Sequence, residues 1–483
     1  MSVRIPATGL CVATLALGLA AALPAWASGE GEHGVELGSR LPLWSMLPFA
    51  GILLSIALFP LFRPHFWHRH YPKVAALWAL LVAVPFVVVF RGDATHAILH
   101  TYFREYFPFI ILLWALFTVA GGVVVRGSIS GSPNSNLALL AIGTLIASWT
   151  GTTGASMLLI HPLLRALANR RHRVHTVVFF IFLVSNIGGA LTPLGDPPLF
   201  LGFLSGVPFF WTLHLIPHMC VLSGLLLVIY YVLDRRLYAG ELREGSVVTA
   251  SGSEPVRLDG LRNLPLLAGI VGFVLVSGIV HWDEVDVLGI VIPGQDLLRD
   301  AGLVVIGFVS LRITPGALRA ANHFSWEPIR EVAYLFAGIF MTIIPALQIL
   351  HAGENGPLGF VIRMVDRPVE YFWITGGLSA FLDNAPTYLT FLNTALGRFY
   401  PGVPVRDAVH ELIATHERVL AGISAGAVFL GAMTYIGNAP NFMVRSIAEE
   451  RGVAMPSFLG FLGRWSLPVL GPCLIVMTVV FFL

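Results

Sequence analysis

Thr192-Pro-Leu-Gly-Asp-Pro-Pro-Leu-Phe200 and Thr434-Tyr-Ile-Gly-Asn-Ala-Pro-Asn-Phe442 say nearly the same thing, each from inside an apolar segment. Aligned, they share Thr, an aliphatic residue, Gly, an Asp/Asn pair, Pro and Phe, at an offset of 242 residues (434 minus 192). A bilayer penalises Gly, Pro and carboxylates within a spanning helix unless the broken backbone lines a protein-enclosed cavity. Paired interruptions at corresponding places in two halves point to a secondary carrier built from an inverted repeat, with its site near the midplane.

Composition agrees. The chain is 56% hydrophobic and 12% charged, against about 25% charged in a soluble domain, so much of its surface must face lipid. A formal net charge of +2 argues against nucleic acid as a partner. Cys11, Cys220 and Cys473 lie in apolar segments at unrelated spacings, which gives no disulfide framework and no metal motif. No nucleotide-binding loop is present, so ATP-driven pumping is unsupported. No catalytic constellation is visible and no cofactor is implied.

At the start of the chain, Arg4, the apolar run Leu10–Leu23 and Ala25-Trp-Ala27 before Ser28 read as a cleavable signal peptide over 1–27. Apolar stretches able to span fall at 43–62, 74–90, 107–125, 207–233, 264–281, 299–313, 332–350 and 464–483. Four others, 137–168, 174–204, 369–397 and 417–446, are long and carry small or polar residues in their middles. A continuous helix of that length would overshoot the hydrocarbon core at about 1.5 Å per residue. We read 137–168 and 369–397 as re-entrant helical hairpins, and 174–204 and 417–446 as broken transmembrane helices. The expected fold is an all-α polytopic membrane protein with repeats at 28–233 and 264–483, joined by a polar cytoplasmic linker at 234–263.

The distribution of basic residues tests this layout. Arg126 precedes the first hairpin, and Arg165, Arg170, Arg171 and Arg173 follow it, so both its ends face the cytoplasm. The acidic loop 282–296 falls outside, and Arg312, Arg319 and Arg330 return inside. The second hairpin must then open outward, giving two halves of opposite topology.

The tips of these four elements carry the candidate site. The first hairpin supplies Thr150 and Thr152, the first broken helix Asn186, Thr192 and Asp196, the second hairpin Asp383, Asn384 and Thr387, and the second broken helix Thr434, Asn438 and Asn441. Placing Thr150 opposite Asp383 gives an offset of 233 (383 minus 150), close to that of the other motif. Asp196 and Asp383 are decisive, one carboxylate per half. Each costs about 2.5–3.5 kcal/mol at a helix centre, and desolvation penalises the charged form, so a proton can be exchanged there for a small cation such as sodium. Half-helix N-termini would also suit an anion, but no Lys or Arg lies in the tips. Each member also has a plainer reading. Either aspartate can cap the next half-helix, the asparagines can satisfy freed backbone groups, and the threonines can bond their own helix. His65, His68 and His70 read as interfacial anchors. His214 and His218 have i,i+4 spacing, but Pro217 disturbs that turn and no carboxylate is near in sequence. His161, inside the first hairpin, reads as a packed neutral histidine, with a proton-linked residue as the alternative.

Four stretches carry a family likeness: Thr150-Gly-Thr-Thr-Gly-Ala-Ser156, Ser185-Asn-Ile-Gly-Gly189 running into Gly195-Asp-Pro-Pro198, Phe381-Leu-Asp-Asn-Ala-Pro386 and Gly437-Asn-Ala-Pro-Asn441. In these the chain resembles the ion transporter superfamily, in particular its NhaD-like sodium/proton antiporters and the related citrate and arsenite permeases. The resemblance implies a homodimer in an inner (plasma) membrane, crossed several times. It also implies a static scaffold, and a transport region of hairpins and broken helices that moves as an elevator. Ion-site residues of the family sit at the tips, which transfers to Thr150, Thr152, Asn186, Asp196, Asp383, Asn384, Asn438 and Asn441. Antiporters of this group often carry an acidic residue in the first hairpin, where this chain has Thr150-Gly151. Cation-coupled transport of citrate or another anion therefore stays open beside cation/proton antiport.

Overall fold

The computed structural model describes residues 37–127, 129–244, 255–322, 324–353 and 356–483. The signal segment 1–27 and the Gly/Ser-rich centre of the linker, 245–253, lie outside them. The chain is an all-α polytopic membrane protein. Among the described residues, six helices are long and apolar enough to cross a membrane. The strands form two short antiparallel pairs.

The helices fall into two bodies with separate apolar cores. One body contains α1 (Leu47–Phe62), α2 (Pro64–Thr101) and α3 (Phe107–Ala120) from the first half. The other contains α4 (Pro133–Thr150), α5 (Thr152–Ala166), α6 (Val174–Leu183), α7 (Pro197–Leu204) and α8 (Ile216–Arg243). The second half repeats the plan. Its α9 (Asn263–Ile279), α10 (Gly294–Ile313) and α11 (Glu327–His351) join the first body, with α11 packed on α2 and α10 on α3. Its α12 (Pro368–Phe381), α13 (Asn384–Phe399), α14 (Val405–Leu430), α15 (Ala439–Glu450) and α16 (Gly471–Phe481) join the second. The first body's core receives Phe200, Leu201 and Phe203 of α7 and Ala385 and Leu389 of α13. Those two helices reach into the first body, and α5 also packs on α3.

Local sequence explains each interruption. Ser132 caps α4, and Pro133 fills the first helical position, where a missing N–H costs nothing. Gly151 ends the helix with φ 76°, a conformation that suits glycine, and α5 starts at the next residue. In the second hairpin Leu382 is extended and Asp383 caps α13, accepting from Ala385 N at 3.0 Å. The first broken helix stops at Leu183, passes through a 3₁₀ turn at Ile187–Leu191, and restarts at Pro197. The second stops at Leu430, passes through Gly431–Met433, and restarts at Ala439. The two breaks are closed by matching glycine pairs. A Cβ on Gly195 would collide with the Gly189 carbonyl, and one on Gly437 would lie 2.5 Å from the Gly431 carbonyl oxygen.

Contacts tie several of the loops to one another. Strand β1 (Val124–Arg126) pairs antiparallel with β2 (Arg257–Asp259), and Arg126 Nε meets Asp259 Oδ2 at 2.7 Å. Arg165 donates to Val125 O at 2.7 Å, and Arg173 to Gly452 O at 3.1 Å. The basic segments thus gather together. The acidic pair β3 (Glu284–Val287) and β4 (Ile290–Pro293) instead meets Arg104, which donates to Val291 O at 2.8 Å.

Two boundaries differ from the sequence reading. Helix α8 continues to Arg243, ten residues into the stretch read as linker from 234, because Asp234 and Glu241 are buried against Arg170. Helix α2 runs from Pro64 well past the expected 74–90. It is interrupted at Arg91, whose φ of 45° and ψ of −109° break the helical geometry.

Candidate functional site

All four interrupted elements meet at the carboxylate of Asp196, which is 1% exposed. Its Oδ1 accepts from Thr152 Oγ1 of the first hairpin at 3.1 Å and from Asn438 Nδ2 of the second broken helix at 2.8 Å. Its Oδ2 accepts from Asn384 Nδ2 of the second hairpin at 2.7 Å. Three neutral donors from three other chain segments therefore hold one buried carboxylate.

The reason Asp196 faces outward to these partners, rather than back to its own helix, lies in the next two residues. Asp196 has the extended backbone of an N-cap (φ −139°, ψ 141°), yet its side chain makes no cap bond. Pro197 and Pro198 have no N–H to offer it, and the Leu199 N–H goes to the Asp196 backbone carbonyl at 3.1 Å. Asn438 stands in the equivalent place, also without a cap bond, ahead of Ala439-Pro440. Asp383 differs: its carboxylate is half-buried and caps α13. The capping alternative is therefore the observed geometry for Asp383 and not for Asp196.

The amide orientations follow from their partners. Asn384 and Asn438 must turn NH2 toward Asp196, and Asn438 also donates to Ser185 O at 3.1 Å. Asn186 donates to Ile181 O at 2.7 Å and to Asn441 Oδ1 at 2.6 Å. Asn441 in turn donates to Gly431 O and Thr434 O, both at 2.9 Å, satisfying carbonyls freed by the break. Two buried oxygens, Asn384 Oδ1 and Asn186 Oδ1, are left without a hydrogen-bond partner. A buried acceptor left unsatisfied costs about 1–3 kcal/mol, and an amide oxygen is a ligand that suits hard cations.

The threonines divide. Thr192 Oγ1 donates to Ser148 O, and Thr434 Oγ1 to Ala380 O, so each ties a broken-helix turn to the hairpin of its own half. Thr150 donates to Ile146 O (3.1 Å) and Thr387 to Asp383 O (2.8 Å), bonding only their own helices. These pairs also reset the alignment of the hairpins. Ser148 corresponds to Ala380 and Thr152 to Asn384, an offset of 232 residues rather than 233. Gly151, not Thr150, therefore occupies the place of Asp383, and the first hairpin needs the left-handed turn where the second has a cap.

A family described as "Putative citrate transport" matches this sequence over residues 38–482. The chain belongs to that family. Uncharacterized transporters of Mycobacterium bovis and Mycobacterium tuberculosis are each 25% identical to it over 338 residues, which is 67% of this chain and 71% of theirs. This citrate-transport family member is a multi-pass membrane transporter.

In this transporter the positioning roles of several serines were not assigned from the sequence. Ser148 Oγ donates to Gly188 O at 2.5 Å and accepts from Leu191 N at 3.0 Å, and Ser379 Oγ donates to Ala427 O at 2.6 Å. Ser156 and Ser185 hydroxyls meet at 2.8 Å beneath the tips. Serine in an apolar run is too common to single out. His214 lies 3.6 Å from Glu417, a carboxylate 203 positions further along the sequence. Among the described residues, no group of three or more His, Cys, Asp or Glu could hold a metal ion.

Proposed function

We propose that this transporter exchanges a small monovalent cation, sodium first among them, for protons at Asp196. The observation that carries the reading is a fully buried carboxylate held by neutral donors alone, one from each of the other three interrupted elements. With no guanidinium or ammonium among those donors, its charge is best compensated by a proton or a bound cation, and a cation would find the unpartnered Asn384 oxygen close by. Asp383, the neighbour of Asn384, supplies the second carboxylate. The two bodies suggest how the site changes sides. Helices α1–α3 and α9–α11 form a scaffold that holds a homodimer in the inner membrane, and the body carrying Asp196 slides against it as an elevator, its two hairpins re-entering the membrane from opposite faces.

The family description favours a second reading, in which cation binding at Asp196 drives uptake of citrate or a related carboxylate. Proteoliposomes separate the two. Antiport predicts that a sodium gradient alone moves protons the other way, at a rate citrate does not change. Sodium-driven proton flux that appears only with citrate present would replace antiport by symport.

A further inference from the structure

A second buried charge cluster lies away from Asp196, on the side where the basic residues gather. Arg170 is 4% exposed, Asp234 0%, Glu241 1% and His175 3%. The Arg170 guanidinium donates to Asp234 Oδ1 at 2.6 Å, to Glu241 Oε2 at 2.5 Å and to Gly131 O at 2.6 Å, and lies 4.7 Å from the Tyr238 ring centre. Asp234 also meets His175 Nε2 at 3.0 Å and accepts from Tyr230 OH at 3.0 Å and Asn136 Nδ2 at 3.2 Å. Glu241 Oε1 accepts from His172 N at 2.7 Å and faces His172 Nδ1 at 2.9 Å. The cluster joins three parts of the chain: the root of the first hairpin (Gly131, Asn136), the start of the first broken helix (Arg170 to His175) and the end of α8.

The charges decide what this pocket can do. One guanidinium faces two carboxylates, so with both imidazoles neutral the pocket holds a net negative charge. The ion pair Arg171–Glu244 beside it is exposed and balanced, and residues 245–254, which follow Glu244, include no Lys or Arg. An uncompensated buried charge is costly. A single proton on His175 or His172 removes it, and His172, with its side chain 46% exposed, gives that proton a route from water.

We propose that this pocket is a proton-binding site distinct from Asp196, and that its occupancy sets how firmly the root of the first hairpin is held. With the proton bound, Arg170, the imidazolium and the two carboxylates form a neutral clasp over Gly131 and Asn136. When cytoplasmic alkalinity removes it, the carboxylates repel each other, the clasp loosens, and the first hairpin gains freedom to move. The inference does not depend on which ion or anion is carried.

The test is hydrogen–deuterium exchange of peptides covering 129–150 in the full protein in nanodiscs, between about pH 5 and 8, corrected for intrinsic exchange. Wild type should lose protection as pH rises, by up to about tenfold per pH unit for one coupled proton. His172→Gln combined with His175→Gln should flatten the profile. Should the double variant fail to fold, His172→Gln alone, at the exposed position, should still shift it. Asp196→Asn should leave it as in wild type. An unchanged profile in both histidine variants, a flat one in wild type, or one abolished by Asp196→Asn would each overturn the proposal.

Discussion

Replacing Asp196 in two ways separates its charge from its hydrogen bonds. Asp196→Ala removes the acceptor of three buried donors, Thr152 Oγ1, Asn384 Nδ2 and Asn438 Nδ2. At about 1–3 kcal/mol for each buried group left unsatisfied, the loss is at least about 3 kcal/mol. Asp196→Asn keeps one oxygen for Thr152 and Asn438 and places an NH2 against Asn384. That clash is repaired by a flip of Asn384, whose buried Oδ1 has no partner and can accept from the new amide. The pocket then keeps three hydrogen bonds and no longer buries a charge, so stability should hold or rise. Thermal unfolding in detergent, followed by tryptophan fluorescence, reads the stability difference, and sodium-driven proton flux in proteoliposomes reads the function. Both variants should be inactive, with only the alanine variant destabilised. An asparagine variant as unstable as the alanine one would refute the flip, and sodium-driven proton flux surviving in it would refute exchange at this carboxylate.

Three other outcomes are expected. Asp383→Asn should unfold with wild-type stability, within about 0.5 kcal/mol, since Asn caps a helix as well as Asp, while proton flux falls in the liposome assay. Gly195→Ala and Gly437→Ala should each cost about 1–3 kcal/mol or more from overpacking against backbone carbonyls; Gly224→Ala, with open space around it, should be neutral or stabilising in the same melt. A disulfide between cysteines replacing Ala120 and Gly154, where a Cβ on Gly154 would lie 3.2 Å from that of Ala120, joins the two bodies. It should stop transport until reduced, and full activity in the oxidised protein would exclude sliding.

Much of this architecture was legible because the bilayer forbids what the interrupted segments contain. The stretch 174–204 was separable from an ordinary span because Gly, Pro and Asp196 have no place on a lipid-facing helix. The pairing of Thr192 with Thr434 recurs as one hydrogen bond made twice. The hairpin register was not legible to the residue: a threonine and an aspartate look interchangeable in a polar tip, and only the bonds of Thr152 and Asn384 to one carboxylate fix the offset. The Arg170 cluster was hidden for a different reason. Arg170 sits among four arginines that satisfy the positive-inside pattern, while its partners lie 64 and 71 residues away in the last turns of a span. Charge at a membrane edge reads as solvated until tertiary contacts show it buried.

The hold on Asp196 also constrains how the protein is made. Two of its three donors arrive late in synthesis, Asn384 after 188 more residues and Asn438 after 242. At about 5–20 residues per second, the first half waits roughly 10–40 s in the membrane for the nearer of them. Its carboxylate must spend that interval protonated, or beside water, or sheltered by another protein. Biogenesis of this transporter thus has a vulnerable stage, in which an inserted first half cannot yet complete its own centre.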